Sequence, residues 1–158
     1  MVSGDIQGPS GPVFNFRYRH GVDEKRRVQI PKPWRPEDLE EEFTLLLWAK
    51  APQGACLRVL RRPLYLKLLA DIEAMSSSDP LKGVRKRMIG SWSTQVKFDT
   101  TGRICIPEAL ANEAAILPDQ EVVLVGLINL FEIWNPGRFD AVNEADNLSR
   151  ADVYRDLE

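Results

Sequence analysis

The feature that most constrains this chain is a stretch that occurs twice. Asp99 to Leu110, DTTGRICIPEAL, has an earlier copy at Asp23 to Trp34, DEKRRVQIPKPW. Asp23 and Asp99, Arg27 and Arg103, Ile30 and Ile106, and Pro31 and Pro107 all match at one offset, 76 positions (99 less 23). Similarity held in register over so long a period points to two homologous folding units, so a reading of one copy can be tested on the other.

Each copy reads as a turn, a short strand and a helix start. In Arg103, Ile104, Cys105, Ile106 the alternation puts two β-branched residues on one face, the pattern of a half-buried strand. Pro107 suits a first helical position, where its missing N–H has no partner to lose, and the segment from Glu108 to Ala115 is a good helix former with acid at its start.

Upstream, Asp99 can accept from the amides that follow it and Gly102 can take positive φ, so the five residues to Arg103 form a tight turn. The spacing brings the Asp carboxylate near the Arg guanidinium. Two readings of that pair stay open. It is a clamp that only stiffens the turn, or a clamp that also aims the remaining guanidinium donors at phosphates or guanine edges. The first copy has Arg26 where the second has Gly102. Either Arg26 strains a positive-φ position or the turn takes another form, and an extra cation at the tip would strengthen phosphate contact.

The rest of the chain is read around these copies. Met1 to Pro12 is rich in Gly, Pro and Ser and is expected to be a disordered leader. Val13 to Arg19 reads as a strand that the turn and the strand Arg27 to Ile30 complete as a hairpin. Three prolines between Pro31 and Pro36 permit one helical turn at most, and Glu37 to Glu42 is open to helix. Phe43 to Trp48 and Cys56 to Leu60 read as strands joined by the turn Ala51 to Gly54. Glu121 to Leu127 and Leu130 to Trp134 are their counterparts, connected by Ile128 and Asn129. Trp48 and Trp134 end apolar strands and are expected in a core or interface. Leu64, Leu68, Leu69 and Ile72 share a helical face, and Ser76 to Pro80 links to a helix over Leu81 to Ile89. Phe139 to Leu157 is an acid-rich helical candidate, a subunit contact or a frayed tail. Cys56 and Cys105 lie in apolar strand patterns and are expected to be buried free thiols.

With 158 residues in the chain, units of about 50 residues are marginal by themselves, and intertwining the copies would relieve that. The net charge of −2 argues against a nucleic-acid partner, but its distribution argues for one. Phe14 to Arg35 holds seven Lys and Arg against two acids, and Lys82 to Arg103 holds six against one. Both basic runs surround the repeated turn, as an electrostatic footprint on DNA requires; the alternative is two solvated basic faces balanced by acidic ones.

The turn Asp-x-x-x-Arg followed by a short strand and Ile-Pro, present twice, resembles the MraZ family of bacterial transcriptional regulators, a duplicated relative of the AbrB and MazE swapped-hairpin domains. The likeness runs from about Phe14 to Asp140 and includes Glu121 to Gly126 and Phe131 to Trp134. It implies an α+β, mostly β fold, in which two tandem swapped-hairpin (AbrB/SpoVT-like) units form an intertwined pseudo-two-fold β-barrel core with short helices between and after them. The expected division is a leader over 1–12, a first repeat over 13–62, a helical linker over 63–89, a second repeat over 90–138 and a C-terminal helix or tail over 139–158.

The resemblance implies a sequence-specific DNA-binding regulator, expected to repress, acting on short direct repeats upstream of the division and cell-wall gene cluster as a ring homo-oligomer. Arg27 and Arg103 would reach base edges, with Lys25, Arg26, Arg17, Arg19 and Lys97 on phosphates and Asp23, Asp99 and Gly102 orienting the turns. A cytoplasmic, nucleoid-associated protein without membrane span, cofactor, metal or small-molecule substrate is expected. The alternative is an antitoxin-like protein-binding module with secondary DNA binding, for which Val153, Tyr154 and Leu157 supply only a short apolar tail. Catalysis is not expected. His20 is the single histidine and has no carboxylate at motif spacing, and there is no phosphate loop, catalytic Ser motif or metal-ligand cluster.

Overall fold

A computed structural model describes residues 13–49 and 52–158. The expected leader, and the start of the turn at 50–51, lie outside the described residues. The fold is α+β and mostly strand. In chain order it runs β1 (Arg17–Gly21), β2 (Arg27–Gln29), a 3-10 turn (Lys32–Trp34), β3 (Phe43–Trp48), β4 (Cys56–Arg61), α1 (Arg62–Glu73), α2 (Lys82–Ser91), β5 (Ser93–Val96), β6 (Arg103–Cys105), α3 (Glu108–Glu113), β7 (Glu121–Gly126), β8 (Phe131–Trp134), α4 (Pro136–Asn147) and α5 (Arg150–Asp156).

Six strands make one antiparallel sheet in the order β1-β7-β8-β4-β3-β5, and β2 and β6 make a separate two-stranded ribbon. The halves of the chain exchange partners. β1 pairs with β7 (Tyr18 opposite Leu124) while β5 pairs with β3 (Thr94 opposite Leu45), so each half's first strand completes the other's side of the sheet. β4 and β8 meet at the centre with Arg58 opposite Glu132, and the ribbon sets Val28 opposite Ile104.

This exchange replaces the expected simple hairpin. Val22 and Val28 form one isolated bridge, after which the chain parts, β1 going to the sheet and β2 to the ribbon. A three-residue strand with a single fully buried residue cannot cover a sheet face. Pairing β2 with β6 doubles the apolar layer and buries Val28, Ile30, Ile104 and Ile106 together. Each such side chain contributes about 1.5–3 kcal/mol of burial. The ribbon, Trp34 of the 3-10 turn, Leu110 and Ala111 of α3 and Ala114 at its C-cap cover the inner face of the sheet, which presents Phe43, Leu45, Leu57, Val59, Val122, Leu124, Phe131 and Ile133.

The outer face carries two smaller clusters. Phe139 of α4 packs on Cys56, Val123 and Trp134, and Leu64, Tyr65 and Leu68 of α1 with Ile89 of α2 pack on Leu46, Leu60 and Leu130. Between them Arg58 Nε donates to Glu132 Oε2 at 2.9 Å, and its guanidinium lies 4.0 Å from the centre of the Trp48 ring.

Several local expectations are corrected. β1 starts at Arg17 rather than Val13, because Phe16 takes φ 72° and breaks the strand, leaving Phe14 to bridge to Ile128. Glu37 to Glu42 forms turns and no helix, for the prolines before it leave no helical start to extend. Pro107 caps α3 with extended backbone rather than occupying its first turn. Leu69 is partly exposed, since α1 presents Leu64, Tyr65 and Leu68 to the sheet. Cys56 is buried, but Cys105 is exposed; the alternation that buries Ile104 and Ile106 sends the residue between them outward. Among the described residues no helix is long and apolar enough to cross a membrane.

Candidate nucleic-acid interface

The two repeated turns have the same construction. In the first, the Asp23 backbone accepts from Arg26 N at 3.0 Å and donates to Arg27 O at 3.1 Å; in the second, Asp99 does the same with Gly102 N at 3.0 Å and Arg103 O at 2.9 Å. Each is a β-turn closed by one left-handed residue, a G1-type bulge. That residue is Gly102 at φ 83° and Arg26 at φ 60°. The first turn therefore keeps the second turn's geometry with a residue that pays about 1–2 kcal/mol for it; it takes no alternative form.

The Asp carboxylates organise both turns. Asp23 Oδ1 accepts from the Lys25 and Arg27 amides at 2.9 Å, and Oδ2 accepts from Arg27 Nε at 2.6 Å. Asp99 Oδ1 accepts from the Thr101 amide and hydroxyl and the Arg103 amide at 2.9 Å, and Oδ2 accepts from Arg103 Nε at 2.9 Å. At Asp99 partial burial pushes the carboxyl pKa up, but donation by the Arg103 amide, Thr101 and the Arg103 guanidinium outweighs it and holds the group at about 2. Asp23 is likewise lowered, first by the Arg27 amide. Both carboxylates are thus ionised throughout the physiological range.

The ribbon brings the turns together. Arg103 Nη1 stands 3.8 Å from Asp23 Oδ2, so the second turn touches the first clamp, and Gln29 Nε2 of β2 donates to Thr101 O of the second turn at 2.7 Å. Each clamp uses Nε, which leaves the terminal nitrogens of Arg27 and Arg103 on side chains about one third exposed. Lys25 is exposed at the first tip. This is a rigid pair of guanidinium forks, both held by carboxylates, on one pseudo-symmetric ribbon.

The other predicted cations are placed unequally. Lys97 is exposed two residues before Asp99, its Nζ 3.5 Å from Glu40 Oε2. Arg17 and Arg19 alternate with Tyr18 and so lie on the outer face of the sheet, Arg17 near the Phe139 ring and Asn143 of α4, and Arg19 3.5 Å from Glu121. The structure does not gather these two with the turns. Nor does the second basic run surround its turn. Lys82 and Lys86 pair with Glu73 and Arg85 pairs with Asp79, and α2 lies with α1 on the outer face.

One residue the sequence reading counted as charge but gave no role does stand at a turn. Arg35 Nε donates to Ile30 O at 2.8 Å, and its side chain lies over Gly102 where a Cβ would otherwise stand. Its position four residues after the Ile-Pro proline was the available signal.

The family described as "MraZ protein, putative antitoxin-like" matches residues 91–156, the second turn included. Transcriptional regulator MraZ of Acidithiobacillus ferrooxidans is 30% identical over 146 residues, covering 90% of this chain and 95% of that protein. Transcriptional regulator MraZ of Rickettsia rickettsii is 30% identical over 138 residues, 87% of this chain and 91% of its own length, and that of Rickettsia typhi matches to the same extent. Identity at that level, carried through both copies of the turn and almost the full length of the relatives, makes this chain a member of the MraZ family.

Proposed function

We propose that this chain is a sequence-specific DNA-binding transcriptional regulator that reads the major groove with Arg27 and Arg103. The observation that carries the reading is the paired clamp. Each guanidinium is committed through Nε to its own Asp and to a common ribbon, so its remaining donors have a fixed direction, the preorganisation that bidentate contact with guanine needs. Lys25, Arg26 and Lys97 flank these forks as phosphate contacts. Arg17 and Arg19 face α4 and would meet only DNA that extends past the ribbon.

Two guanidinium readers make a weak site. The relatives' name supports a transcriptional regulator, and the family resemblance implies a ring homo-oligomer that engages short direct repeats upstream of the division and cell-wall gene cluster and represses it. Linking weak sites raises avidity by about 10² to 10⁴ where geometry permits.

The test is binding of the purified chain to a labelled fragment of its own upstream DNA beside a scrambled fragment, at two salt concentrations. Salt-dependent preference for the native fragment is expected. Equal, weak binding to both would overturn sequence-specific reading and move the antitoxin-like, protein-binding role to the front.

A further inference from the structure

The two turns differ at one position, and the structure carries a matching difference elsewhere. At the offset of 76, Ile30 corresponds to Ile106, Arg26 to Gly102 and Arg35 to Ala111. Ile30 N donates to Gly102 O at 3.0 Å, and Ile106 N donates to Arg26 O at 2.9 Å. Each Ile carbonyl in turn accepts from a guanidinium Nε. At Ile30 the donor is Arg35 at 2.8 Å, and at Ile106 it is Arg26 at 3.2 Å. Two pseudo-equivalent places therefore hold the same group, supplied in one by the segment after Ile-Pro and in the other by the turn residue itself.

The two supplies exclude each other. The Arg35 Nε, Cζ and Cδ atoms occupy the place a Cβ at 102 would take, so a side chain there would force the Arg35 guanidinium to move from its seat on the Ile30 carbonyl. Position 111 lies within α3, whereas its counterpart Arg35 is extended, and an arginine at 111 would compete with Arg26 for the Ile106 carbonyl. The chain has the complementary pair at each place: Gly102 with Arg35, and Arg26 with Ala111.

We propose that Arg26 replaces, from across the pseudo-two-fold, the arginine absent at position 111, so that each turn presents one guanidinium of equal standing to a DNA phosphate. Arg35 is thereby a member of the interface that the sequence reading left out. Nε of each is used internally, and the terminal nitrogens of Arg26 and Arg35 have no partner among the described residues. The inference rests on the DNA-binding reading for its ligand, and on the hydrogen bonds alone for the exchange.

The experiment is a four-variant cycle on the full chain: Arg26→Gly, Ala111→Arg, both together, and Arg35→Ala, measured for binding to the native upstream fragment across a salt series and for thermal midpoint. Arg26→Gly and Arg35→Ala should each reduce the salt slope by about 1, and to the same extent. Adding Ala111→Arg to Arg26→Gly should restore the slope, whereas Ala111→Arg alone should be the least stable of the set. Since that single variant can fail to fold, the reciprocal pair supplies a second arm. Gly102→Arg should be tolerated only with Arg35→Ala. An unchanged slope in Arg26→Gly, or a folded double variant that does not recover it, overturns the proposal. If the unmodified chain shows no salt-dependent DNA binding, the reading beneath has failed, and the exchange is then decided by the thermal midpoints, where non-additive recovery in both pairs upholds it and additivity overturns it.

Discussion

Arg103 Nη1 lies 3.8 Å from Asp23 Oδ2 while Arg103 Nε donates to Asp99 at 2.9 Å, so one guanidinium sits between the carboxylates of both copies of the repeat. The clamp that looked local in the sequence is in fact shared. Arg103→Ala is expected to cost about 1–3 kcal/mol of binding to the native fragment and to relax base preference, as a lost bidentate contact does. Arg103→Lys should recover little of either, because an ammonium cannot hold Asp99 and reach a base edge in fixed directions. Competition binding with single-base operator variants measures both; a loss of folding in place of a selective loss of binding would leave the clamp as a purely structural device.

Asp99 makes stability depend on pH in a definite direction. Its pKa in the folded chain is about 2, below the ordinary carboxylate value, so the stabilisation is fully present above pH about 4 and is lost as pH falls toward 2. Asp99→Asn keeps the shape but not the charge. Thermal midpoints of the two proteins should differ at neutral pH and converge between pH about 4 and 2; a constant gap over that window would show that the carboxylate's charge contributes nothing.

Outside the single Val22–Val28 bridge, β2 and β6 form no ladder with the six-stranded sheet, so side-chain burial holds the ribbon to it. Ile104→Ala is expected to cost about 2–5 kcal/mol in a denaturant melt, the usual range for truncating a fully buried Ile. Val28 lies directly opposite, so the pair Val28→Ala and Ile104→Ala should deviate from additivity by about 0.5 kcal/mol or more.

On the outer face, Glu132 is buried and accepts from Arg58 Nε and from Trp134 Nε1 at 2.8 Å. Arg58→Met leaves that carboxylate short of its cation and should destabilise by about 3 kcal/mol, whereas Arg58→Met combined with Glu132→Gln should recover most of the loss. Denaturant midpoints at constant m-value test this; a double variant as unstable as the single would mean that the Arg58 stem over Trp48 matters more than the charge.

The two cysteines should respond differently to a thiol reagent. Cys105 is exposed on the ribbon, while Cys56 is buried and its thiol pKa is pushed up by desolvation. One thiol should react in the folded chain and the second only in denaturant. DNA bound across the ribbon should slow the first reaction, since Cys105 lies opposite Arg27.

What the sequence determined by itself is whatever acts within a few residues. The Asp-to-Arg spacing places a carboxylate over the amides and guanidinium that follow it, the alternation around Ile104 decides which side chains turn inward, and prolines stop the helix after Ile30; a constant offset then doubles each of these inferences. Cys105 was misplaced only because its strand was read as wholly apolar, when the same alternation already pointed it outward. The tertiary structure decided the rest. Nothing in a period-2 pattern says which strand a short strand will pair with, and here summed burial separates β2 from β1 and joins it to β6. That pairing brings Arg103 to Asp23 and Arg26 to Ile106 across 80 positions of chain (103 less 23, 106 less 26), while on the outer face α2 sets Lys82 and Lys86 on Glu73 of α1. Local chemistry wrote the turns, and non-local burial chose where they meet.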